Sequence, residues 1–214
     1  MTDLYIIRHG EAYSNIPPYM IGGEKSCRGL TERGFAQAKA LARRLATGEI
    51  PIDMMYASTL PRAQQTAELA AEALGVAIQW ERELHELRPG ECDGMTYEEA
   101  REVYPNVISF FDQLYQPLSP GGESWADFTL RGSLMLEQIV RAHPGKKIAV
   151  VAHGGIVEVS FLYFLGLGPQ TRMRNAFHIR NTAITHWRQV ALHERVEWQL
   201  ITHNDHIHLR EEQL

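Results

Sequence analysis

The stretch Ile6-Ile7-Arg8-His9-Gly10 decides the fold, because an apolar run ends there in a cation, an imidazole and a glycine. Residues 4–7 form a continuous apolar segment, which predicts a strand covered by helices on both faces. Gly10 permits the tight exit that such a strand needs. Since ligands bind beyond the carboxyl ends of parallel strands, chemistry is expected at Arg8 and His9.

A second segment repeats this design. Lys147–Ala152 predicts another strand, and His153-Gly154-Gly155 follows it directly, ahead of an apolar helix over residues 156–165. For either histidine taken alone, an ordinary hydrogen-bonded loop residue is the alternative. If the two strands are neighbours, His9 and His153 meet in one crevice, each beside a glycine that lets backbone approach a ligand.

Composition limits the classes of protein that remain. The chain has 214 residues, which suits one domain over residues 1–214, and its 21 basic and 26 acidic residues give a net charge of -5. No basic cluster follows one face, so nucleic acid is not an expected partner. No apolar run reaches the roughly 18 residues of a membrane-spanning helix, so no membrane partner is expected. Cys27 and Cys92 lack disulfide or metal spacing, which favours a reducing, cytoplasmic location.

Strand-like and helix-like segments alternate along the chain. This predicts an α/β fold: a three-layer sandwich with a mostly parallel central sheet, helices on both faces and a helical insertion near the active site. Thr31 is expected to cap a helix over residues 32–47. Its buried stripe is predicted to contain Phe35, Ala38, Leu41, Ala42 and Leu45. A strand is predicted over 54–57, a helix over 62–74 opened by Pro61 and ended by Gly75, and a short strand over 77–80.

Residues 95–142 are interpreted as the helical insertion. Short helices are predicted over 96–103 and 105–114, and a long helix from Glu123 or Ser124 to about Ala142. The aromatic residues of this segment fit a lid over a substrate pocket, core packing or a dimer face. They are Tyr104, Phe110, Phe111 and Tyr115. The turn-rich loop over residues 15–29 is expected to lie over the crevice.

Six blocks follow one another between residue 4 and about residue 187. They are Arg8-His9-Gly10-Glu11-Ala12-Tyr13-Ser14-Asn15, Gly29-Leu30-Thr31-Glu32-Arg33-Gly34, Tyr56-Ala57-Ser58-Thr59-Leu60-Pro61-Arg62-Ala63-Gln64-Gln65-Thr66-Ala67, Leu84-His85-Glu86-Leu87-Arg88-Pro89-Gly90-Glu91-Cys92-Asp93-Gly94, Ala152-His153-Gly154-Gly155 and Asn181-Thr182-Ala183-Ile184-Thr185. Together they resemble the blocks of the histidine phosphatase superfamily, also called phosphoglycerate mutase-like. Cys27-Arg28-Gly29 departs from the family, in which an aspartate and a proline often stand there.

The resemblance implies a phosphoryl-transfer site in which His9 is the nucleophile and becomes transiently phosphorylated. Arg8, Arg62 and His153 would hold the phosphoryl oxygens, and guanidinium groups can donate paired hydrogen bonds to them. Such a site needs neither metal nor cofactor. From the residues alone, Glu83, Glu86, Glu91 and Asp93 could each protonate the leaving oxygen and later activate water. The block match assigns this role to Glu86.

Further residues are predicted to bind substrate. Asn15 and the backbone N–H of Gly154 are expected at the phosphoryl group. Arg28, Arg88 and Glu123 are expected to contact the rest of the substrate, with solvated surface positions as the alternative. The C-terminal histidines alternate like a strand or tail, and no neighbouring cysteine or carboxylate pattern supports a metal site there. They are His203, His206 and His208.

Three functions are compatible with these observations. The first is a metal-independent phosphomonoesterase that hydrolyses a small phosphorylated metabolite through a phosphohistidine. The second is a phosphoglycerate mutase that uses the same intermediate, and the third is a noncatalytic phosphate-ligand binding module. Hydrolysis is favoured because residues 87–104 resemble the phosphatase branch. The sequence does not identify the substrate, and oligomeric state stays open, although a homodimer is the family's common arrangement.

Overall fold

The computed structural model describes residues 1–104, 113–173, 176–192 and 195–210. Its strands form one sheet in the order β3-β2-β4-β1-β5-β6. They are β1 (Thr2–Arg8), β2 (Met54–Ser58), β3 (Ile78–Glu81), β4 (Lys147–Ala152), β5 (Ile184–Leu192) and β6 (Arg195–Asp205). The first four pair in parallel, whereas β5 pairs antiparallel with both β1 and β6. The predicted mostly parallel sheet is confirmed.

Apart from the short C-terminal helix, which was not predicted, the helices begin and end close to the predicted positions. Those described are α1 (Glu32–Ala46), α2 (Pro61–Leu74), α3 (Tyr97–Val103), α4 (Trp125–Ala142), α5 (Gly154–Phe164) and α6 (Ile207–Arg210). Thr31 caps α1 by accepting a hydrogen bond from the backbone of Gly34, and Ser124 caps α4 in the same way. Gly75 ends α2 in the left-handed conformation, with φ of 67°.

The two faces of the sheet pack against different helices. Ile6 and Val150 belong to a buried cluster with the apolar residues of α4 and α5. Their neighbours Ile7 and Val151 belong to a second cluster with α1 and α2. Successive side chains of a strand point to opposite faces, so this division makes three layers. The predicted sandwich with helices on both faces is therefore confirmed.

The buried stripe of α1 differs from the prediction at its start. Ala38, Leu41, Ala42 and Leu45 are buried, but Phe35 is 37% exposed, so its assignment to the core was wrong. The reason is the close approach of α1 to the chain after β1. A Cβ atom at Gly34 would lie only 2.0 Å from the carbonyl oxygen of Glu11, so Gly34 faces inward and turns Phe35 toward solvent.

The described part of the insertion contains two helices joined to a stretch of turns over residues 113–124. The predicted helices at α3 and α4 are confirmed, whereas the prediction for residues 105–114 falls mostly outside the described residues, together with Phe110 and Phe111. Tyr115 is 75% exposed, so it does not pack in the core. In the described parts of the chain, no helix has the length and apolar character to cross a membrane.

Candidate active site

The carboxyl ends of three central strands lie together at one edge of the sheet. β2, β4 and β1 are adjacent and parallel, and the register pairs Arg8 with Ala152. The backbone N–H of His9 continues this pairing by donating to the carbonyl of Ala152 at 3.0 Å. The predicted meeting of His9 and His153 is confirmed, since their ring centroids lie 5.1 Å apart.

The ring of His9 is fixed in one protonation state. Its Nδ1 lies 2.6 Å from the carbonyl oxygen of Gly10, which can only accept, so Nδ1 carries the hydrogen. The ring is 3% exposed. Burial, followed by the cations of Arg62 and Arg8, holds the pKa of His9 well below its usual value. His9 is therefore neutral at neutral pH, and the electron pair of its Nε2 points into the crevice, toward Nε of Arg62.

Arg62 enters the crevice from the first turn of α2. Its Nε lies 3.1 Å from Nε2 of His9 and 3.3 Å from Nδ1 of His153. Its two terminal nitrogens donate to Sγ of Cys27 and to the carbonyl of Gly22, each at 3.3 Å. The loop predicted to lie over the crevice thus contacts this guanidinium. Within the described ranges, no carboxylate forms an ion pair with Arg62, so its charge is available to an anion.

His153 occupies the N-cap position of α5 and is fully buried. Its Nε2 lies 2.8 Å from Oγ of Ser58, the last residue of β2. Burial is the largest cause of a pKa well below the usual value for His153, and the neighbouring Arg62 acts in the same direction. This ring is also neutral at neutral pH, and its Nδ1 faces the crevice.

Arg8 supplies a second guanidinium from the end of β1. It donates to the carbonyl of Ile179, while its Nε is buried and has no hydrogen-bond partner among the described residues. Burial lowers the pKa of Arg8, and the carboxylate of Glu86 opposes that shift. A Cβ atom at Gly154 would lie 3.8 Å from Nε of Arg8, which places the start of α5 beside this unused donor. Helix N-termini and unpaired guanidinium donors both favour bound anions.

The carboxylate of Glu86 lies against the first turn of α5. One oxygen accepts from the backbone of Gly155 and the other from the backbone of Leu87, both at 3.0 Å. A Cβ atom at Gly155 would be 2.1 Å from Oε1 of Glu86, so only glycine leaves room for this carboxylate. Arg131 of α4 holds the same loop by donating to the carbonyls of Glu83, His85 and Glu86.

A cavity of about 350 Å³ opens beside Glu86. Its walls combine charged and apolar groups and come from the loop over the crevice and from the segments around Glu86 and Pro120. They include Gly22, Gly23, Glu24, Lys25, Leu60, Arg82, His85, Leu87, Arg88, Pro89, Gly90, Glu91, Asp93 and Gly121. Arg88 lines this cavity and forms an ion pair with Glu83 at 2.7 Å. The cavity is of the size expected for a small organic ligand.

The other residues predicted to bind substrate lie in different surroundings. Oδ1 of Asn15 accepts from the backbone of Ala12 at 3.1 Å. Arg28 is exposed, and its guanidinium lies 4.4 Å from the centre of the Tyr13 ring. Glu123 accepts from Nε of Arg131 at 2.6 Å and thereby stabilises the Glu86 loop. Substrate contacts by these side chains stay predictions.

Several residues of the site were not predicted. Ser58 contacts His153, and Cys27 contacts Arg62. The side-chain amide of Asn181 donates to the carbonyl of His9 at 3.0 Å. Ser58 could have been found from the sequence, because it ends the strand next to β4. Arg131 gives no such signal, since it is one arginine within an amphipathic helix.

The three C-terminal histidines do not converge on one point. Each ring bonds a different group: His203 with Thr185, His206 with the carbonyl of Asn204, and His208 with Thr182. Over the described ranges, no group of three histidine, cysteine or carboxylate side chains is arranged to hold a metal ion.

Comparison with known proteins identifies the chain's relatives. Metal-independent phosphoserine phosphatase from Arabidopsis thaliana is 32% identical over 179 residues, which is 82% of this chain and 74% of that protein. Fructose-2,6-bisphosphatase from Saccharomyces cerevisiae is 34% identical over 167 residues. That match covers 77% of this chain but 34% of the yeast protein, so the chain spans about a third of this relative's length.

Solved structures share the whole fold. Phosphoserine phosphatase from Entamoeba histolytica, in complex with 3-phosphoglyceric acid, is 28% identical with a TM-score of 0.80, and the match covers 98% of this chain and 100% of that chain. The family model of the histidine phosphatase superfamily (branch 1) matches residues 4–206. That range contains His9, His153, the guanidinium groups of Arg8 and Arg62, and the Glu86 loop. The chain therefore belongs to the histidine phosphatase superfamily, branch 1.

Proposed function

We propose that this protein is a metal-independent phosphomonoesterase that hydrolyses a small organic phosphate through a phosphohistidine intermediate. The observation that carries the proposal is the neutral ring of His9, whose Nε2 electron pair faces Arg62 while Nδ1–H is held by Gly10. A neutral imidazole nitrogen can attack phosphorus, and the nearby guanidinium groups match the oxygens of the transferring group.

In the first step, Nε2 of His9 forms a bond to phosphorus and the bond from phosphorus to the leaving oxygen breaks. Protonated Glu86 gives its proton to that oxygen, so the leaving group departs as an alcohol. Arg8, Arg62 and His153 hold the three remaining phosphoryl oxygens, on which the transition state concentrates charge. The start of α5 contributes the backbone N–H of Gly154.

In the second step, water attacks phosphorus while the carboxylate of Glu86 takes its proton. The bond between phosphorus and His9 breaks, inorganic phosphate leaves, and the neutral ring is restored. Glu86 suits both steps because it lies between the phosphoryl site and the cavity. The same carboxyl group can therefore face first the leaving oxygen and then the water that replaces it.

The leaving group occupies the cavity beside Glu86 in this proposal. A volume of about 350 Å³ accommodates an amino acid, a glycerate or a monosaccharide. Relatives named phosphoserine phosphatases make phosphoserine the first substrate to test. Arg88 is our candidate contact to the leaving group, because it lines the cavity. The proposal includes one domain over residues 1–214. It also includes a cytoplasmic location, which the unpaired Cys27 and Cys92 support.

The test is release of inorganic phosphate, with a chelator present, from phosphoserine, phosphoglycerates, sugar phosphates, nucleotides and an aryl phosphate. We expect turnover of at least one substrate, an acid-labile phosphoenzyme, and loss of both in His9→Ala. His206→Ala, which removes a ring that bonds the carbonyl of Asn204, is the matched control and should retain activity. Interconversion of phosphoglycerates with little free phosphate would instead indicate a mutase, and no phosphoenzyme from any donor would indicate a binding module.

A further inference from the structure

Ser58 contacts the catalytic crevice but has no part in the mechanism above. It is fully buried at the end of β2, and its Oγ lies 2.8 Å from Nε2 of His153. That nitrogen is on the side of the ring opposite to Nδ1, which faces Arg62. The serine hydroxyl is therefore placed where it can decide which ring nitrogen carries the hydrogen.

The hydrogen of Ser58 can be located from its neighbours. Among the described residues, Oγ has two polar partners, the backbone N–H of Leu60 at 3.3 Å and Nε2 of His153. The N–H of Leu60 can only donate, so it occupies an electron pair of Oγ. The hydroxyl hydrogen then has Nε2 of His153 as its acceptor. Because Nε2 accepts, the single hydrogen of the neutral ring is on Nδ1.

The opposite tautomer would let Nδ1 of His153 accept from Nε of Arg62, but it would leave the serine hydrogen unpaired. If Nε2 of His153 donated to Ser58, the serine hydrogen would lack an acceptor in the described part of the chain, which costs free energy in a buried site. It would also turn the electron pair of Nδ1 toward the phosphoryl oxygens. Nε of Arg62 lies 3.1 Å from Nε2 of His9 and 3.3 Å from Nδ1 of His153, so its single hydrogen has His9 as an acceptor when Nδ1 of His153 is protonated. The N–H groups of Arg62 and His153 thus face one space, as donors around an oxyanion do.

We propose that Ser58 is a positioning residue that holds His153 as the neutral Nδ1–H tautomer, so that His153 donates a hydrogen bond to the phosphoryl group. This inference rests on the proposed function and names a residue that tunes the same site. A neutral donor stabilises the transferring oxygens without adding a cation that would retain the phosphate product. Burial of His153, which lowers its pKa, supports the neutral state.

Nitrogen NMR of the protein labelled with 15N-histidine reads this tautomer directly. Spectra are recorded with and without inorganic phosphate, and His153→Gln identifies the signals of that ring. We expect the hydrogen of His153 to be on Nδ1 when phosphate is bound. A hydrogen on Nε2 in the phosphate complex would overturn the inference.

Substitution of the serine supplies a second readout. Ser58→Ala should weaken phosphate affinity and kcat/KM by about tenfold, the equivalent of one hydrogen bond, and move the hydrogen toward Nε2. Ser58→Cys, a weaker donor, should fall between the two. Ser160→Ala is the matched control, because it removes an equally buried hydroxyl that bonds Val157 and Trp187. It should change stability without changing the tautomer or phosphate affinity.

The outcomes separate this inference from the proposed function. Wild-type protein that forms a phosphohistidine but keeps the hydrogen of His153 on Nε2 contradicts the inference alone. An unchanged tautomer and unchanged phosphate affinity in Ser58→Ala contradict it as well. Wild-type protein that neither binds phosphate nor hydrolyses any phosphomonoester contradicts the proposed function, and the inference with it.

Discussion

Replacing Arg62 with methionine should abolish turnover and leave the protein folded. Methionine keeps most of the side-chain length and removes the guanidinium group. In the structure that group is 4% exposed and contacts His9, His153, Cys27 and Gly22 without a carboxylate partner in the described ranges. The effect of the substitution on activity and its effect on stability can therefore be calculated separately.

The effect on activity follows from the charge that Arg62 supplies. An arginine that stabilises a phosphoryl-transfer transition state is worth about 10³-fold to 10⁵-fold in rate. This corresponds to roughly 4 to 7 kcal/mol of the activation free energy. We expect kcat/KM of Arg62→Met to fall within that range, with phosphate binding weakened as well.

The effect on stability combines opposing contributions. The variant loses hydrogen bonds from Arg62 to His9, Cys27 and Gly22, at about 1 kcal/mol each, and the carbonyl of Gly22 loses this donor. It also removes a buried cation, whose desolvation costs several kcal/mol in the folded state. These contributions nearly cancel, so the free energy of unfolding should change by no more than about 2 kcal/mol.

Denaturant unfolding and steady-state kinetics measure the two quantities on the same preparations. Inorganic phosphate at a hundred times its Kd should stabilise the wild type by about 2.7 kcal/mol and the variant by much less. Arg141→Met is the control, since its side chain is 78% exposed on α4. Our account of Arg62 would be refuted if the variant kept activity within tenfold of the wild type. It would equally be refuted by a loss of more than about 4 kcal/mol of stability, which would identify Arg62 as a structural ion.

Three further predictions concern neighbouring residues. Gly155→Ala should lower kcat by at least about tenfold in the phosphatase assay, because the added Cβ displaces the carboxylate of Glu86; unchanged kcat would show that this carboxylate is not needed where it lies. Arg131→Met should lower the free energy of unfolding by about 3 kcal/mol and reduce activity, since it removes two hydrogen bonds to Glu123 and three to the carbonyls of the Glu86 loop; equal behaviour of Arg141→Met would contradict this. Burial lowers the pKa of His85 to about 4, so its stabilisation is present above pH 6.5 and is lost as the pH falls toward 4. His85→Gln should therefore reduce the difference in unfolding free energy between pH 7 and pH 4.5 by about 2 kcal/mol, and an unchanged difference would mean that folding does not lower the pKa of His85.

The parts of the fold with strong local signals were predictable from the sequence. Continuous apolar runs located β1 and β4, and Thr31, Ser124 and Gly75 located the ends of three helices. Phe35 was not predictable, because its exposure depends on the tertiary contact between Gly34 and Glu11. Helical periodicity alone predicts which residues share an apolar face. It does not predict which of them will contact the backbone of another segment.

Some residues of the site were likewise predictable from the sequence, and others were not. His9, Arg62 and His153 stand in recognisable blocks at strand and helix ends, so their meeting followed from topology. Arg131 and Cys27 act through contacts between segments far apart in the chain, at 45 or more residues for Arg131 and 35 for Cys27. Neither contact has a sequence pattern, because a long-range hydrogen bond does not depend on local spacing.

The division between sheet and loops has a consequence for how this protein can be altered. The reactive nitrogens are anchored to the ends of β1 and β4 and to the start of α2, whereas the wall of the neighbouring cavity consists of connecting segments. Loop positions tolerate replacement far better than sheet positions do. A library restricted to residues 22–25, 87–91 and 120–121 would therefore explore new leaving groups while the phosphorus chemistry stays constant, which makes the chain a suitable starting point for directed evolution of phosphatases.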